Sequence, residues 1–146
     1  MELYRDFREL LACFNAHHVE FVVVGGYALA HHGAPRFTGD LDLYVHPTRE
    51  NGERVFSALS DFGFGEIGLR VDDFQSPGQV IQLGHPPIRI DIITSVDGVA
   101  WEEVWKGRED VTLQGEKVSF IGRRELIANK KASGRAQDIA DIEALG

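Results

Sequence analysis

The sequence is poor in three kinds of feature, and each shortage excludes a class of protein. One cysteine, Cys13, among 146 residues excludes an internal disulfide framework and suits a reducing cytoplasm. No apolar run approaches the ~20 residues that cross a bilayer, and the N-terminus lacks a signal-peptide pattern. With 15 Lys and Arg against 23 Asp and Glu, the formal net charge is −8, which disfavours broad nucleic-acid binding. We expect a soluble cytoplasmic protein without membrane contact.

The hydrophobic content bounds the organisation of the chain. At 146 residues and 43% hydrophobic residues, it can bury one sizeable core and little more. No internal repeat, low-complexity tract or linker divides it. We therefore predict a single domain spanning residues 1–146, with no room for a second catalytic domain.

A buried strand followed by a diglycine turn occupies the first third of the chain. Phe21–Val24 is a short run of aromatic and β-branched residues, and Gly25-Gly26 stops it. A helix is predicted from Tyr27. Glycines at a strand-to-helix turn let the backbone approach a ligand closely, and a helix start favours phosphate or carboxylate. Most diglycines only make turns, so this motif alone is weak evidence.

Two carboxylates follow in a second apolar strand. In Arg36-x-Thr38-x-Asp40-x-Asp42, apolar residues alternate with the acids from Asp40 onward, so Asp40 and Asp42 share one face. Residues two apart in a strand are separated by roughly 6.6 Å, at ~3.3 Å per residue. The two acids can therefore converge on a hard cation. The alternative is a sheet face that is simply exposed to water.

A third acid lies in another apolar strand, predicted from Ile88 to Thr94. Asp91 is costly there without a partner. If this strand lies beside the Asp40 strand, three carboxylates meet, as two-metal phosphoryl chemistry requires. The alternative is an ion pair of Asp91 with Arg89 or a position at the strand end, and we do not expect it.

The remaining patterns predict an α/β (α+β) fold in which a small mixed sheet is flanked by helices. Residues 64–77 have poor periodicity and predict a loop with at most one short strand. The C-terminal run should form two helices that break near Ser133-Gly134, with Ile139, Ile142 and Leu145 facing inward. The other predicted elements are helices at Glu2–Ala16, Arg49–Asp61 and Val99–Trp105, a hairpin of Gln79–Leu83 with Ile88–Thr94 through Gly84-His85-Pro86-Pro87, and a hairpin of Val111–Leu113 with Lys117–Ile121.

Several motifs together resemble the nucleotidyltransferase superfamily related to DNA polymerase beta, in its small branch that includes abortive-infection-type toxins. The resemblance covers most of the chain. One departure is that many relatives have Gly-Ser where this chain has Gly25-Gly26, so a serine hydroxyl for a nucleotide phosphate is missing. The motifs are Gly25-Gly26, Asp40-x-Asp42, Asp91 and Asn129-Lys130-Lys131-Ala132-x-Gly134-Arg135-x-x-Asp138-x-x-Asp141.

The resemblance implies a role for each of these residues. Asp40, Asp42 and Asp91 would be catalytic and would bind Mg²⁺ or Mn²⁺. Arg135, Asp138 and Asp141 would support the site by holding the lysine and the arginine in place. The NTP phosphates would be bound by Gly25, Gly26, Arg36, Thr38 and Lys130, where Lys130 matches the family position better than Lys131.

The activity implied is transfer of a nucleoside monophosphate from an NTP to an acceptor hydroxyl, on an RNA end, a protein or a small molecule. An antibiotic hydroxyl is one such small-molecule acceptor. The alternative is a catalytically weak or inactive protein of the same fold that binds or regulates a partner protein, such as one half of a toxin–antitoxin pair. Three clustered carboxylates speak against a purely structural role.

Overall fold

A mixed six-stranded sheet runs through the computed structural model, which describes residues 1, 3–36, 38–65, 67–85 and 88–146. Its strands are β1 (Phe21–Val24), β2 (Asp40–Val45), β3 (Val80–His85), β4 (Ile88–Ile93), β5 (Glu109–Leu113) and β6 (Glu116–Phe120). The helices are α1 (Arg5–Ala16), α2 (Gly25–His31), α3 (Arg49–Leu59), α4 (Trp101–Gly107), α5 (Arg123–Ser133) and α6 (Ala136–Leu145).

The strand order places the two acid-bearing strands side by side. It runs β3-β4-β2-β1-β6-β5. β2 pairs in parallel with β4 and antiparallel with β1, while β1 pairs in parallel with β6. Both predicted hairpins are confirmed, although Pro86 and Pro87 of the first turn lie outside the described residues. The mixed sheet flanked by helices is confirmed as well.

The helix α1 covers the sheet through one apolar face. Phe7, Leu10, Leu11 and Phe14 are fully buried, as their helical spacing predicts. Cys13, on the same helix, is half-buried against this core. The described helix begins at Arg5, and the predicted start at Glu2 lies outside the described residues. In the part of the chain described, no helix combines the length and apolarity needed to cross a membrane.

Three elements differ from the sequence prediction. The second helix begins at Gly25 itself, so the diglycine forms its first turn instead of preceding it. Beyond α3 the chain continues into a π-helical turn, Ser60–Phe64, in which Gly63 takes a φ of 121° that only glycine adopts easily. The stretch predicted as a loop contains a 3₁₀ helix, Val71–Phe74, and none of its described residues forms a strand.

The C-terminal helix pair breaks where glycine was predicted to break it. Gly134 ends α5 in the left-handed conformation, with φ 64°. The predicted inward face of α6 is wrong for Ile139, which is 54% exposed, whereas Leu145 packs against the core; the buried residues of α6 are Asp138 and Asp141. Ile142 and Leu145 are half-buried. Ion pairs with Lys130 hold the two aspartates against α5, so that Ile139 points outward.

Candidate active site

The parallel pairing of β2 and β4 brings the three predicted carboxylates together. Asp42 lies directly opposite Asp91 in the register, and Asp40 lies opposite Arg89. Because residues two apart share a strand face, Asp40, Asp42 and Asp91 project from the same side of the sheet. Asp91 is only 8% exposed, so this cluster is partly removed from water.

The arginine Arg89 belongs to this cluster, and the sequence interpretation missed it. Its Nη2 donates a hydrogen bond to Asp40 Oδ2 at 2.7 Å, and its Nε lies 3.7 Å from Asp91 Oδ1. Residues 89 and 91 are two apart and therefore share a strand face, so the expectation against this ion pair was wrong. The i, i+2 spacing in the sequence was the signal that could have found it.

Burial and mutual repulsion shift the protonation of the carboxylates. Burial, and then the charge of Asp91, raise the pKa of Asp42 to about 7, while Lys130 acts in the opposite direction. Burial also raises the pKa of Asp91, against a lowering by its hydrogen bond with Asp42 and by Arg89. Because the pKa of both facing carboxyl groups is raised, a proton on this pair is favoured over two full negative charges.

The diglycine leaves no space for side chains beside the carboxylates. Gly25 has a φ of +70°, and a Cβ added there would lie 2.0 Å from Asp42 Oδ2. A Cβ on Gly26 would lie 2.8 Å from Thr38 Cβ and Cγ2 and 3.0 Å from Thr38 Oγ1. The distances of 2.0 and 2.8 Å are shorter than those that real Cβ atoms show. Thr38 therefore occupies the space that a serine at position 26 would need.

A buried ion-pair network holds Lys130 in position. Its Nζ donates hydrogen bonds to Asp141 Oδ2 at 2.9 Å and Asp138 Oδ1 at 3.4 Å, and the residue is 5% exposed. Arg36 binds Asp141 through Nε at 3.0 Å and Nη2 at 3.3 Å, and Arg135 Nε binds Asp138 at 2.8 Å. The neighbouring Lys131 is exposed. The predicted supporting residues thus surround Lys130.

The same network keeps its two aspartates ionised. The hydrogen bond from Arg135 is the main reason that the pKa of Asp138 falls to about 2. Burial raises the pKa of Asp141, but hydrogen bonds from Lys130, Arg36 and Gln137 outweigh it, so this pKa lies below its ordinary value. Two carboxylates that stay charged fix the Lys130 ammonium near Asp42.

One cavity of about 390 Å³ joins Asp42 to this network. Gly25, Lys130 and Arg135 also line it, as does Asn129 of the C-terminal motif. The other predicted site residues lie outside its lining: Gly26, Arg36, Thr38, Asp40, Asp91, Asp138 and Asp141. The remaining lining residues, to which the sequence analysis gave no role, are Val24, Val80, Ile93, Ser95, Val96, Asp97 and Ser133.

A larger cavity, of about 540 Å³, lies elsewhere and is lined in part by His18, Glu20, Trp105 and Arg108. It contains none of the three clustered strand aspartates. We therefore place the candidate active site in the smaller cavity.

The sequence matches, over residues 3–146, the profile of a family described as nucleotidyl transferase of unknown function (DUF2204). The chain belongs to this family. The resemblance inferred from its motifs is thereby confirmed, and the protein is a nucleotidyltransferase enzyme. No curated protein sequence matches the chain.

Solved structures agree with this nucleotidyltransferase in fold. A protein from Thermotoga maritima, proposed to be a nucleotidyltransferase, has a TM-score of 0.63 and 17% identity, with 97% of this chain and 88% of that one covered. The antibiotic-resistance factor ANT(2″)-Ia has a TM-score of 0.62 and 12% identity, covering 96% and 80%. A lincosamide antibiotic adenylyltransferase, LnuA, with bound lincomycin has a TM-score of 0.58 and 12% identity, covering 98% and 96%. At these identities the likeness shows the fold alone.

The carboxylates of the nucleotidyltransferase fit a divalent metal ion. Among the described residues, no group donates a hydrogen bond to the buried Asp91 Oδ1. Carboxylate oxygens are the ligands that Mg²⁺ and Mn²⁺ prefer. Two partly buried carboxylates that lie opposite each other in neighbouring strands offer such an ion a site.

Proposed function

We propose that this nucleotidyltransferase moves a nucleoside monophosphate from an NTP to a hydroxyl group of a small molecule, using Mg²⁺ or Mn²⁺ held by Asp40, Asp42 and Asp91. The observation that carries the proposal is that Asp42, which lies opposite Asp91, lines the same cavity as the buried Lys130. Carboxylates for a metal ion and a fixed cation for phosphates are the two charge elements that phosphoryl transfer requires.

Asp40, Asp42 and Asp91 would hold the metal ion, which would supply charge neutralisation for the triphosphate and activation of the attacking oxygen. The carboxyl groups of Asp42 and Asp91 would have to be ionised to act as ligands, although the pKa of both is raised. Arg89 holds Asp40 and thereby fixes the third carboxylate beside the other two.

In the transfer step, the acceptor hydroxyl forms a bond from its oxygen to the α-phosphorus. The bond from the α-phosphorus to the bridging oxygen of the β-phosphate breaks, and pyrophosphate leaves. The hydroxyl proton goes to Asp91, whose Oδ1 receives no hydrogen bond from another described donor. Asp91 therefore serves as the general base.

The NTP phosphates lie between the diglycine and Lys130 in this proposal. Gly25 lines the cavity, so its backbone can approach a phosphate, while Gly26 is buried against Thr38. Thr38 Oγ1 stands where a serine at position 26 would reach, so it supplies the hydroxyl contact that the diglycine lacks. Arg36 holds Asp141 through Nε and Nη2, and Asp141 in turn binds Lys130.

A small molecule is the acceptor that the chemistry favours. The formal charge of −8 disfavours long nucleic acid, whose binding relies on Lys and Arg. The neighbours ANT(2″)-Ia and LnuA, an antibiotic-resistance factor and an antibiotic adenylyltransferase, share the fold. An RNA end and a protein are the rival acceptors. A partner protein and the toxin–antitoxin pairing stay predictions.

The test incubates the purified enzyme with each α-³²P-labelled NTP, Mg²⁺ and a lysate separated into metabolite, protein and RNA fractions. We expect label in the metabolite fraction, with release of pyrophosphate and no transfer in EDTA. If label appeared only in the RNA or protein fraction, the transferase activity would be confirmed but the acceptor would not be a small molecule. Transfer at the same rate in EDTA would overturn the metal dependence.

A further inference from the structure

A second cluster of metal-ligand side chains lies at the opposite end of α2 from the diglycine. His31 ends this helix, His32 caps it, and Glu109 begins β5. One potential ligand atom from each of the three residues lies within 4.8 Å of the others. The proposed catalytic chemistry uses none of them.

The hydrogen bond of His32 fixes which of its ring nitrogens is free. Its Nε2 lies 2.7 Å from the Ile121 carbonyl oxygen, which can only accept, so Nε2 carries the proton. In the neutral ring, Nδ1 then presents a lone pair. That nitrogen lies 3.8 Å from Glu109 Oε2, which is also an acceptor and is too far for a hydrogen bond. Two acceptors that face each other are stabilised either by a proton on Nδ1 or by a metal cation between them.

His31 and Glu109, the other two residues of the cluster, lie close to each other and to His32. His31 Nε2 lies 3.2 Å from Glu109 Oε1, and the His31 ring stacks on Phe120 with centroids 4.3 Å apart and planes 3° apart. The His32 side chain is 7% exposed. A tetrahedral ion with bonds of about 2.0–2.1 Å has neighbouring ligand atoms roughly 3.3–3.4 Å apart. The imidazoles of His31 and His32 lie 3.2 and 3.8 Å from the two different oxygens of Glu109, separations of similar size that place both rings beside one carboxylate.

We propose that His31, His32 and Glu109 bind one divalent transition-metal ion of the Zn²⁺ class, at a site separate from the catalytic carboxylates. Two imidazoles and one carboxylate suit such an ion, whereas Mg²⁺ prefers oxygen ligands alone. A histidine ligand that donates its other N–H to a backbone carbonyl, as His32 does, is the usual arrangement around such metals. Water completes the coordination, because Glu109 is 49% exposed.

A metal ion at this site would link two elements of the fold that are far apart in the sequence. The ion joins the C-terminal end of α2 to the β5–β6 hairpin, while the first residue of α2, Gly25, lies against Asp42. Metal binding should therefore stabilise the helix that borders the catalytic cavity.

The test measures Zn²⁺ bound by the full chain at equilibrium in excess Mg²⁺ without nucleotide, and the visible d–d absorption of the Co²⁺-loaded protein. Wild type should bind one more equivalent of Zn²⁺ than His32→Ala or Glu109→Gln, and its melting temperature should rise by several degrees with Zn²⁺. Both variants should lose the Co²⁺ bands. Asp42→Asn should retain this equivalent, which separates the site from the catalytic one.

The matched control is His17→Gln. His17 pairs with Asp61, a histidine–carboxylate contact without a second imidazole, so this variant should keep the extra Zn²⁺ equivalent. Absence of Zn²⁺ uptake by wild type would show that the cluster is a plain ion pair with a doubly protonated His32. Equal loss in His17→Gln, or no loss in Glu109→Gln, would also overturn the proposal. Glu109 is exposed, so its isosteric variant should fold even if His32→Ala does not.

Discussion

Asp42 lies where the strand register, the diglycine and the Lys130 network meet. It faces Asp91 across the β2–β4 pairing and limits the space at Gly25. Asp42→Asn should lower nucleotide transfer by several orders of magnitude, because an amide cannot replace a carboxylate as ligand of a metal bound to phosphates. The measurement is the rate of NMP transfer at saturating Mg²⁺.

The control for this prediction is Asp110→Asn. It makes the same chemical change in β5, where Asp110 accepts a hydrogen bond from the Ser119 hydroxyl. This variant should keep its rate within about threefold, since a solvent-exposed surface change alters stability only slightly. Transfer by Asp42→Asn within tenfold of wild type would remove Asp42 from the catalytic set.

The raised pKa of Asp42 predicts a competition between protons and metal ions for this carboxyl group. With the pKa of Asp42 at about 7, the site is largely protonated below neutral pH, and metal binding must release the proton. Activity at low Mg²⁺ should therefore fall as the pH drops through about 7. Raising the Mg²⁺ concentration should move that midpoint to lower pH. A midpoint that does not respond to Mg²⁺ would show that another group controls the profile.

At the scale of the elements, α5 presents one of two adjacent lysines to the cavity. Neighbouring helix residues point about 100° apart, so the buried Lys130 and the exposed Lys131 are a natural pair for comparison. Lys130→Met should weaken NTP binding at least tenfold, because it removes the cation that faces Asp42. Lys131→Met should change binding less than twofold in the same calorimetric titration.

The Lys130 variant should also lower stability, since Asp138 and Asp141 lose one of their buried partners. A cost of roughly 1–3 kcal/mol is expected, because Arg36 and Arg135 still neutralise the two carboxylates. Urea unfolding measures this cost separately. Equal binding losses in the two variants would show that the role of Lys130 in the proposed function is wrong.

The packing of the diglycine against Thr38 predicts a second effect on stability. Gly26→Ala should destabilise the protein by about 1–3 kcal/mol, because its Cβ overlaps Thr38. Thr38→Gly in the same chain should recover part of that loss. Gly65→Ala is the control, since a Cβ there meets only ordinary contacts near 3.5 Å. A neutral Gly26→Ala in urea unfolding would contradict the close approach.

The elements that the sequence predicted well are those with a strong repeating pattern. The strands at Phe21–Val24 and Asp40–Val45 and the break at Gly134 were predicted because alternation, apolar runs and glycine are local signals. The juxtaposition of Asp42 and Asp91 needed the additional assumption that their strands are neighbours, since strand order is not local.

The features that were missed depend on charge pairing between distant residues. Ile139 was expected to be buried by its apolar character, but Arg36, Lys130 and Arg135 draw Asp138 and Asp141 inward instead. The contact of Thr38 with Gly26 joins residues twelve positions apart in a turn without periodicity. The His31–His32–Glu109 cluster joins α2 to a strand 78 residues away. Local sequence patterns contain no signal for such contacts.

At the scale of the whole molecule, the carboxylate cluster makes the metal-free fold strained at neutral pH. Because the folded pKa of Asp42 is raised, the native state binds more protons than the unfolded one between pH ~4 and ~7. The contribution of Asp42 to the free energy of unfolding therefore falls as the pH rises through that window, and it is constant above it. Asp42→Asn removes the repulsion and should raise the stability of the metal-free protein at pH 8 by on the order of 2 kcal/mol.

A thermal melt of wild type and Asp42→Asn at pH 8, in EDTA and in Mg²⁺ with each NTP, tests the carboxylate site without knowledge of the acceptor. A ligand that binds only the folded state at a hundredfold excess over Kd stabilises it by ~2.7 kcal/mol, a shift of a few degrees. We predict that shift for wild type with at least one NTP, its loss in Asp42→Asn, and a higher melting temperature for Asp42→Asn in EDTA. The contradicting result is a wild type that no Mg²⁺–NTP stabilises, or an Asp42→Asn variant that melts lower in EDTA and keeps the full shift.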